Sequence, residues 1–337
     1  MSKVIELPLA PEYVSHWGFW EGIREILQNA IDQEWTDPTA EMIFNQSHSH
    51  IAVTNKNTTL SVGTLLLGRS GKADGQIGGF GEGYKLALLV LLRNNYRTTI
   101  RTGDQVWTPS FGYSKTFDGN VLRIDIEDGM DWTADTTFLV ECTGEEERNI
   151  IAERYIHGTV EKSHIIRARP GDVFVGGLYV CHFNELKFGY NFVPGEIILN
   201  RDRNSVELFE LQWKLKDLLR EDIDGAELLD MVIKSTPDVE YVTTPTKLAL
   251  AWIDRYDEVI PVGSQEDLIP GKECKIVPKK LADMIQVALG YLVPSKRTVK
   301  QRVDEFFKTR ETLEQSYGAE IRQLVADCLK CPVDTLF

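Results

Sequence analysis

The sequence predicts an α+β protein, in which a mixed body of helices and strands is followed by a helical C-terminal region. Apolar residues recur at helical spacing in two segments, 17–35 and 84–94. Short segments with the alternation and composition of strands lie between and after these helices. From residue 207 onward the periodicity is helical and is punctuated by prolines. We therefore expect a mixed stretch at 1–144, a strand-rich stretch at 145–206 and a helical stretch at 207–337.

Local sequence patterns predict the helices and strands of each stretch. In the first stretch, Phe19, Ile23 and Leu27 share one face of a helix that Pro38 ends. The strands expected there are 42–44, 51–54, 98–101, 121–126 and 137–142. In the second stretch a charged helical run precedes strands at 173–180, 186–192 and 196–199. In the third we expect helices at 208–220, 226–233, 247–256, 280–292, 300–307 and 313–331.

Composition sets limits on function. The chain has 337 residues, 42% of them hydrophobic, which is enough for about two domains with real cores. Its 51 acidic and 37 basic side chains give a net charge of −14, which argues against non-specific binding to nucleic acid or to anionic membranes. The sequence shows no signal peptide and no apolar run near the roughly 18 residues of a membrane span. We expect a cytoplasmic protein with no membrane partner.

The five cysteines are odd in number and sparse, which is typical of a reducing compartment. Cys328 and Cys331 form the single CxxC pair, and no second pair completes a zinc site. His48 and His50 lie in a polar turn without further metal ligands nearby in the sequence. No structural metal is therefore expected.

One face of the first predicted helix carries polar residues. Glu25, Asn29 and Asp32 are spaced four and three residues apart, so they stack on one side of the helix. A carboxylate can deprotonate water, and an amide oxygen is a ligand that suits Mg²⁺. Glu21, one turn earlier, competes for the role of the base, although only Glu25 has the four-residue spacing to Asn29. The alternative is an ordinary solvated helix face.

A glycine-rich segment leads into the second helix. Gly78, Gly79, Gly81 and Gly83 precede Lys85, and backbone amides at such a helix start can approach phosphate oxygens. The segment is not a P-loop, because Gly71-Lys72 is followed by Ala73. It is not a dinucleotide fingerprint either, since no strand runs into the glycines. The alternative is a flexible turn.

In this order and spacing, the two features resemble the GHKL (Bergerat-fold) ATPases, which include Hsp90, MutL, MORC proteins and histidine kinases. The resemblance covers about residues 17–144 and implies a two-layer α/β sandwich that binds ATP with Mg²⁺. It implies that Glu25 activates water, that Asn29 binds Mg²⁺ and that Asp32 borders the nucleotide. Lys72 and Lys85 become candidate phosphate contacts, and the implied hinge of a lid over the phosphates consists of Gly78, Gly81 and Gly83.

Other positions carry the resemblance less closely. The family has an Asp-x-Gly box at the end of a strand, where the carboxylate binds the adenine amino group; here Asn55 takes the Asp position and Asn57 the Gly position. An Asn oxygen still accepts a hydrogen bond, but without a negative charge. Thr136 and Thr137 are expected to line the pocket, or else to serve only as strand residues. Beyond this region, the pair that can reach a γ-phosphate is Arg201 and Arg203; the alternative is a salt-bridged turn.

The resemblance implies a slow ATPase in which the nucleotide acts as a switch that closes a lid and brings two protomers together as a homodimer. A histidine-kinase activity is disfavoured, because only His16 precedes Glu25 and no helical hairpin fits before it. A non-catalytic module that acts through a partner is the second alternative, and an unrelated α+β protein is the third.

The segment 271–310 has a charge opposite to that of the whole chain. It holds ten basic and four acidic residues, a net charge of +6. It is either a solvated helical face or a surface for a nucleic-acid or acidic protein partner.

Overall fold

The computed structural model describes residues 2–66, 83–141, 144–200 and 203–290. The chain forms two compact units: Met1–Asn184 with Phe188–Glu207, and Glu185–Lys187 with Leu208–Phe337. The stretches expected at 1–144 and 145–206 thus both belong to the first unit, apart from the three residues 185–187. In the described residues, no helix is long and apolar enough to cross a membrane.

The first unit is built on a five-stranded antiparallel sheet. Its strands are β1 (Ser2–Leu7), β2 (Met42–Gln46), β3 (His50–Asn55), β4 (Thr98–Ser114) and β5 (Gly119–Glu141). The strand order is β1-β5-β3-β2, with β4 also paired to β5. One side of β5 pairs with β4 along its length, and the other side pairs first with β1 and then with β3. The segment expected as a strand at 121–126 and the described part of the one expected at 137–142 therefore belong to one strand, whose pairing with β4 continues between them with two register shifts at Gly103.

Two helices pack on this sheet: α1 (Phe19–Thr36) and α2 (Gly83–Arg93). The apolar face of α1 packs against β3 and β5, as Ile23 and Leu27 do with Val53. Helix α2 packs against β4 and β5 around the fully buried Trp107. Burial of this apolar area is the main favourable term that holds the helices on the sheet. The expected helices 17–35 and 84–94 are confirmed, and so is the mixed α/β character of the chain.

The strand-rich part of the first unit contains α3 (Glu145–Arg154) and a second sheet. That sheet has the order β6-β9-β7-β8, made of β6 (His164–Ile166), β7 (Asp172–Val175), β8 (Leu178–His182) and β9 (Gly189–Phe192). The expected strand 173–180 is wrong as a single strand, because Gly176 and Gly177 have positive φ of 59° and 79° and turn the chain into a hairpin. The expected strand 196–199 is also wrong, since Pro194 and Gly195 begin a turn and Ile198 is exposed.

The second unit is mainly helical where it is described. Its helices are α4 (Leu208–Asp222), α5 (Gly225–Ile233), α6 (Pro245–Tyr256) and α7 (Lys279–Leu289), as expected from the apolar periodicity. A parallel pair of three-residue strands, β10 (Ile260–Val262) and β11 (Cys274–Ile276), was not expected, because such short strands leave no periodic pattern. The expected helices 300–307 and 313–331 lie outside the described residues, as do Cys328 and Cys331.

The hairpin at Gly177 yields a prediction about stability. A Cβ at Gly177 would lie 2.4 Å from the carbonyl oxygen of Ile156, and its φ is +79°. We expect Gly177→Ala to lower the free energy of unfolding by about 2–4 kcal/mol, from left-handed strain plus steric overlap. Gly103→Ala is the matched control, because its φ is +59° but nothing lies within 4 Å of its Cβ. Urea denaturation should show a clearly larger loss for Gly177→Ala; equal losses would contradict the steric explanation.

Candidate functional site

Helix α1 buries polar side chains as well as apolar ones. Glu25 is 2% exposed, Gln28 1% and Asp32 1%, while Asn29 is half-buried. Burying a charged or amide group is costly unless it is paired, so these side chains need partners. The alternative of a solvated helix face is therefore wrong for Glu25 and Asp32.

Arg203 is the principal partner of Glu25. Its Nη1 donates hydrogen bonds to both carboxylate oxygens of Glu25, at 2.9 and 2.8 Å, and to Oε1 of Gln28 at 2.5 Å. Arg24 adds a contact from Nη2 to Oε1 of Glu25 at 3.2 Å. The ion pair is buried, with 11% of the Arg203 side chain and 3% of the Glu25 side chain exposed. Two guanidinium groups thus surround one carboxylate.

A short turn positions Arg203. The carbonyl of Asn200 accepts the Arg203 N–H at 3.0 Å, and Oδ1 of Asn200 accepts the N–H of Asn204 at 2.9 Å. Arg203 itself has a φ of 55°, in the left-handed region, which costs a non-glycine residue about 1–2 kcal/mol. Strained residues of this kind are concentrated at functional positions. Arg201 lies outside the described residues.

Two buried donors beside the ion pair lack acceptors. Nε of Arg24 and Nε2 of Gln28 have no hydrogen-bond partner in the part of the chain that the structure describes. Because orphaned donors are costly, their presence indicates room for an acceptor such as a water or an anion oxygen. Neither residue could be selected from sequence, since both fit the pattern of an amphipathic helix.

The first residue of α2, Gly83, lies next to Glu25 and Asn29. A Cβ on Gly83 would lie 2.5 Å from Oε2 of Glu25 and 3.0 Å from Nδ2 of Asn29, so a larger residue there would displace the Glu25 carboxylate. The first residues of a helix carry unpaired amides and partial positive charge. Of the other predicted phosphate contacts, Lys85 is buried and its Nζ donates to the carbonyl of Leu66 at 2.7 Å. The remaining predicted members of this segment lie outside the described residues: Lys72, Gly78, Gly79 and Gly81.

Asn29 presents one end of its amide to its own helix. Nδ2 donates to the carbonyl of Glu25 at 2.5 Å, which places the amide oxygen on the other side of the group. No cluster of three His, Cys, Asp or Glu side chains that could hold a metal is found among the described residues. Mg²⁺ does not require such a cluster, because it takes few protein ligands and retains waters. Asn29 and Glu25, one turn apart on α1, offer an amide and a carboxylate of the kinds that Mg²⁺ takes as ligands.

Asn55 braces α1 through its amide. Its Nδ2 donates to the carbonyls of Ala30 and Ala40, both at 3.0 Å, and neither bond uses the amide oxygen. Two residues later, Asn57 has a φ of 51°, a conformation that glycine adopts readily. The Asn57 N–H and the Lys56 ammonium both bind Asp135, and the hydrogen bond from Lys56 is the main reason that the pKa of Asp135 is lowered.

The threonines expected in the pocket are paired with other threonines. Oγ1 of Thr137 lies 2.9 Å from Oγ1 of Thr54 across the strand pair, and Oγ1 of Thr136 lies 2.9 Å from Oγ1 of Thr102. These bonds are cross-strand pairs of the kind that stabilise sheets.

Several residues singled out in the sequence have structural roles. Oε2 of Glu21 accepts the N–H of Gly18 at 2.8 Å, so this carboxylate caps α1 rather than competing with Glu25. His50 Nδ1 lies 3.0 Å from Oγ of Ser47 within the polar turn. In the basic segment, Lys275 lies over the Tyr256 ring, with Nζ 4.2 Å from its centroid, and Lys280 donates to the carbonyl of Glu240. Residues 291–310 of that segment lie outside the described residues.

Comparison with known proteins adds no assignment to this geometry. No protein-family model matches the chain, and no curated protein matches its sequence significantly. The candidate site therefore rests on the residues brought together by α1, the start of α2 and the turn at Arg203.

Proposed function

We propose that the chain is a GHKL-type ATPase that binds ATP with Mg²⁺ and uses the nucleotide as a conformational or dimerisation switch. The observation that carries the proposal is the meeting of Glu25, Asn29 and Gly83 at the start of α2, with Arg203 bound to Glu25. Helices α1 and α2 pack against each other, and this packing brings Glu25 and Asn29 of one motif to Gly83 of the other. Bergerat topology and ATP as the substrate are part of the same proposal.

In the proposed reaction Glu25 is the general base. A carboxylate oxygen of Glu25 accepts a proton from a water that attacks the γ-phosphate, and the leaving group is ADP. Asn29 would hold Mg²⁺, which would neutralise charge on the triphosphate. Amides at the start of α2 approach the phosphates, as helix N-termini do for anions.

Arg203 couples substrate binding to the base. While both oxygens of Glu25 accept hydrogen bonds from Arg203, the carboxylate is poorly placed to accept a proton from water. A triphosphate offers the guanidinium a more highly charged partner. Movement of Arg203 onto the γ-phosphate would release Glu25 and stabilise charge in the transition state.

The roles of Glu25 and Asn29 can be separated by substitution. We expect Glu25→Gln to keep ATP affinity within about threefold of wild type and to lower kcat by about 10²–10⁴-fold, because it removes the base. Glu25→Ala is unsuitable, since it leaves two buried guanidinium groups without the carboxylate that compensates their charge. Asn29→Ala should lose Mg²⁺-dependent ATP binding and hydrolysis together. Calorimetry and phosphate release measure both; equal loss of binding in the two variants would contradict the assigned roles.

Arg203 should be required for turnover. We expect Arg203→Ala to lower kcat by about 10–10³-fold, because the transition state loses a charged donor. Arg203→Lys keeps the positive charge but loses the planar set of guanidinium donors, and should give an intermediate rate. Steady-state hydrolysis with a thermal-unfolding control measures this. A faster rate in Arg203→Ala would mean that Arg203 only restrains Glu25.

Asn55 is proposed to bind adenine through its amide oxygen, while its two N–H groups donate to the carbonyls of Ala30 in α1 and Ala40 in the segment after α1. An aspartate at this position could not donate to Ala30 and Ala40. We expect Asn55→Asp to lower the free energy of unfolding by about 1–3 kcal/mol, the cost of two unsatisfied carbonyls. Asn120→Asp makes the same chemical change at an exposed position and should be close to neutral. Unchanged stability in Asn55→Asp would show that the donor role is unimportant.

A non-catalytic binding module is the second candidate, and one observation favours it: two arginines already occupy the carboxylate of Glu25. Radiolabelled ATP distinguishes the candidates. Released phosphate supports the ATPase, label retained on the protein supports a kinase, and tight binding with neither outcome supports the module. A homodimer and a partner at 271–310 remain predictions.

A further inference from the structure

A cavity lies on the opposite side of α1 from Glu25. Its volume is about 500 Å³, and all of its described lining residues belong to the first unit. Ile31, Glu34 and Trp35 line it from α1. At 100° per residue, Glu34 is about 140° around the helix from Asn29, so the cavity does not share the face that carries the proposed nucleotide site.

Three packed rings form one wall of the cavity. The centroid of Phe44 lies 4.5 Å from that of His157 and 5.3 Å from that of Tyr155, and the His157 and Tyr155 centroids are 4.9 Å apart. Trp35 also lines the cavity and is 45% exposed. Aromatic faces carry partial negative charge, which attracts cations.

The charge of the described lining comes from one carboxylate. Glu34 accepts the N–H of Met42 at 3.1 Å and the hydroxyl of Thr159 at 3.4 Å, both neutral donors, and no lysine or arginine is among the described lining residues. Burial lowers the pKa of His157, so its imidazole is neutral at pH 7. Burial, together with the charge of Glu34, raises the pKa of Tyr155 to about 12, so its phenol is neutral too. The cavity therefore has a net negative charge.

We propose that this cavity binds a small organic cation, with its charged nitrogen facing Glu34 and its apolar body against the aromatic wall. A carboxylate and aromatic faces together recognise alkylated ammonium groups, whose charge is spread over methyl groups that hydrogen bonds do not satisfy. A phosphate or carboxylate ligand would be repelled by Glu34. The volume lies within the range of pockets that enclose small ligands. This proposal does not depend on the ATPase proposal.

Such a cation has two sources, a free metabolite or the methylated lysine of a peptide, and one titration series distinguishes them. The full chain is titrated with choline, with tetramethylammonium and with a short peptide that contains trimethyl-lysine, and binding is followed by calorimetry and saturation-transfer NMR. The neutral control is 3,3-dimethylbutan-1-ol, which has the shape of choline without its charge. We expect the cations to bind at least tenfold more tightly than the neutral alcohol. Tighter binding of choline than of the peptide identifies a metabolite, and the reverse identifies a side chain.

Two variants locate the binding. Glu34→Gln removes the charge, keeps an amide oxygen that can accept the Met42 N–H, and offers an N–H that can donate to the Thr159 hydroxyl; it should weaken choline binding at least tenfold. Trp35→Ala should weaken it about threefold or more; Trp132→Ala is the matched control, because Trp132 is 70% exposed and does not line the cavity. Thermal unfolding confirms that each variant is folded. Equal binding of choline and the neutral alcohol, binding that survives both variants, or no binding of any cation would overturn the proposal.

Discussion

The buried ion pair between Glu25 and Arg203 is the interaction on which the candidate site depends. A carboxylate that is 3% exposed is tolerable only with a partner, and Arg203, 178 residues later in the chain, supplies it. The pair joins α1 to the turn that follows the second sheet, so the strand-rich part of the first unit contributes Arg203 to the site. The sequence singled out Arg203 as a γ-phosphate contact, but it did not predict the bond to Glu25. Removal of either partner leaves a buried charge, which is why the two residues act as one group.

Two energetically unfavourable features lie next to this ion pair. Arg203 adopts a left-handed backbone conformation, and Nε of Arg24 has no acceptor in the described part of the chain. Both features lower the stability of the fold, and a single substitution would remove each of them. A glycine at position 203 would relieve the backbone strain, and an apolar residue at position 24 would remove the unpaired donor. Unfavourable local features occur most often at functional sites. Both features lie beside the contact between Glu25 and Gly83, so we interpret them as parts of a functional site and not as accidents of packing.

The sequence was a good guide wherever a long periodic pattern existed. It predicted α1, α2 and four helices of the second unit, because burial of one face dominates those elements. It divided β5 into two strands, since the exposed middle of a long strand has no apolar alternation, and it missed the hairpin at Gly177. For the site, i to i+4 spacing found Glu25 and Asn29. It could not find Arg24 or Gln28, whose roles come from a contact with a residue in a distant turn.

Glu25 and Glu34 show how environment decides the chemistry of identical residues. They are nine positions apart on one rigid helix, about 13 Å along its axis. Two guanidinium groups compensate Glu25, and nearby donors without acceptors make that face receptive to an anion. Only neutral donors contact Glu34, and aromatic rings line its cavity, so its charge is left for a ligand. Because backbone and side-chain type are the same at both positions, the difference in selectivity must come from what the rest of the fold brings to each face.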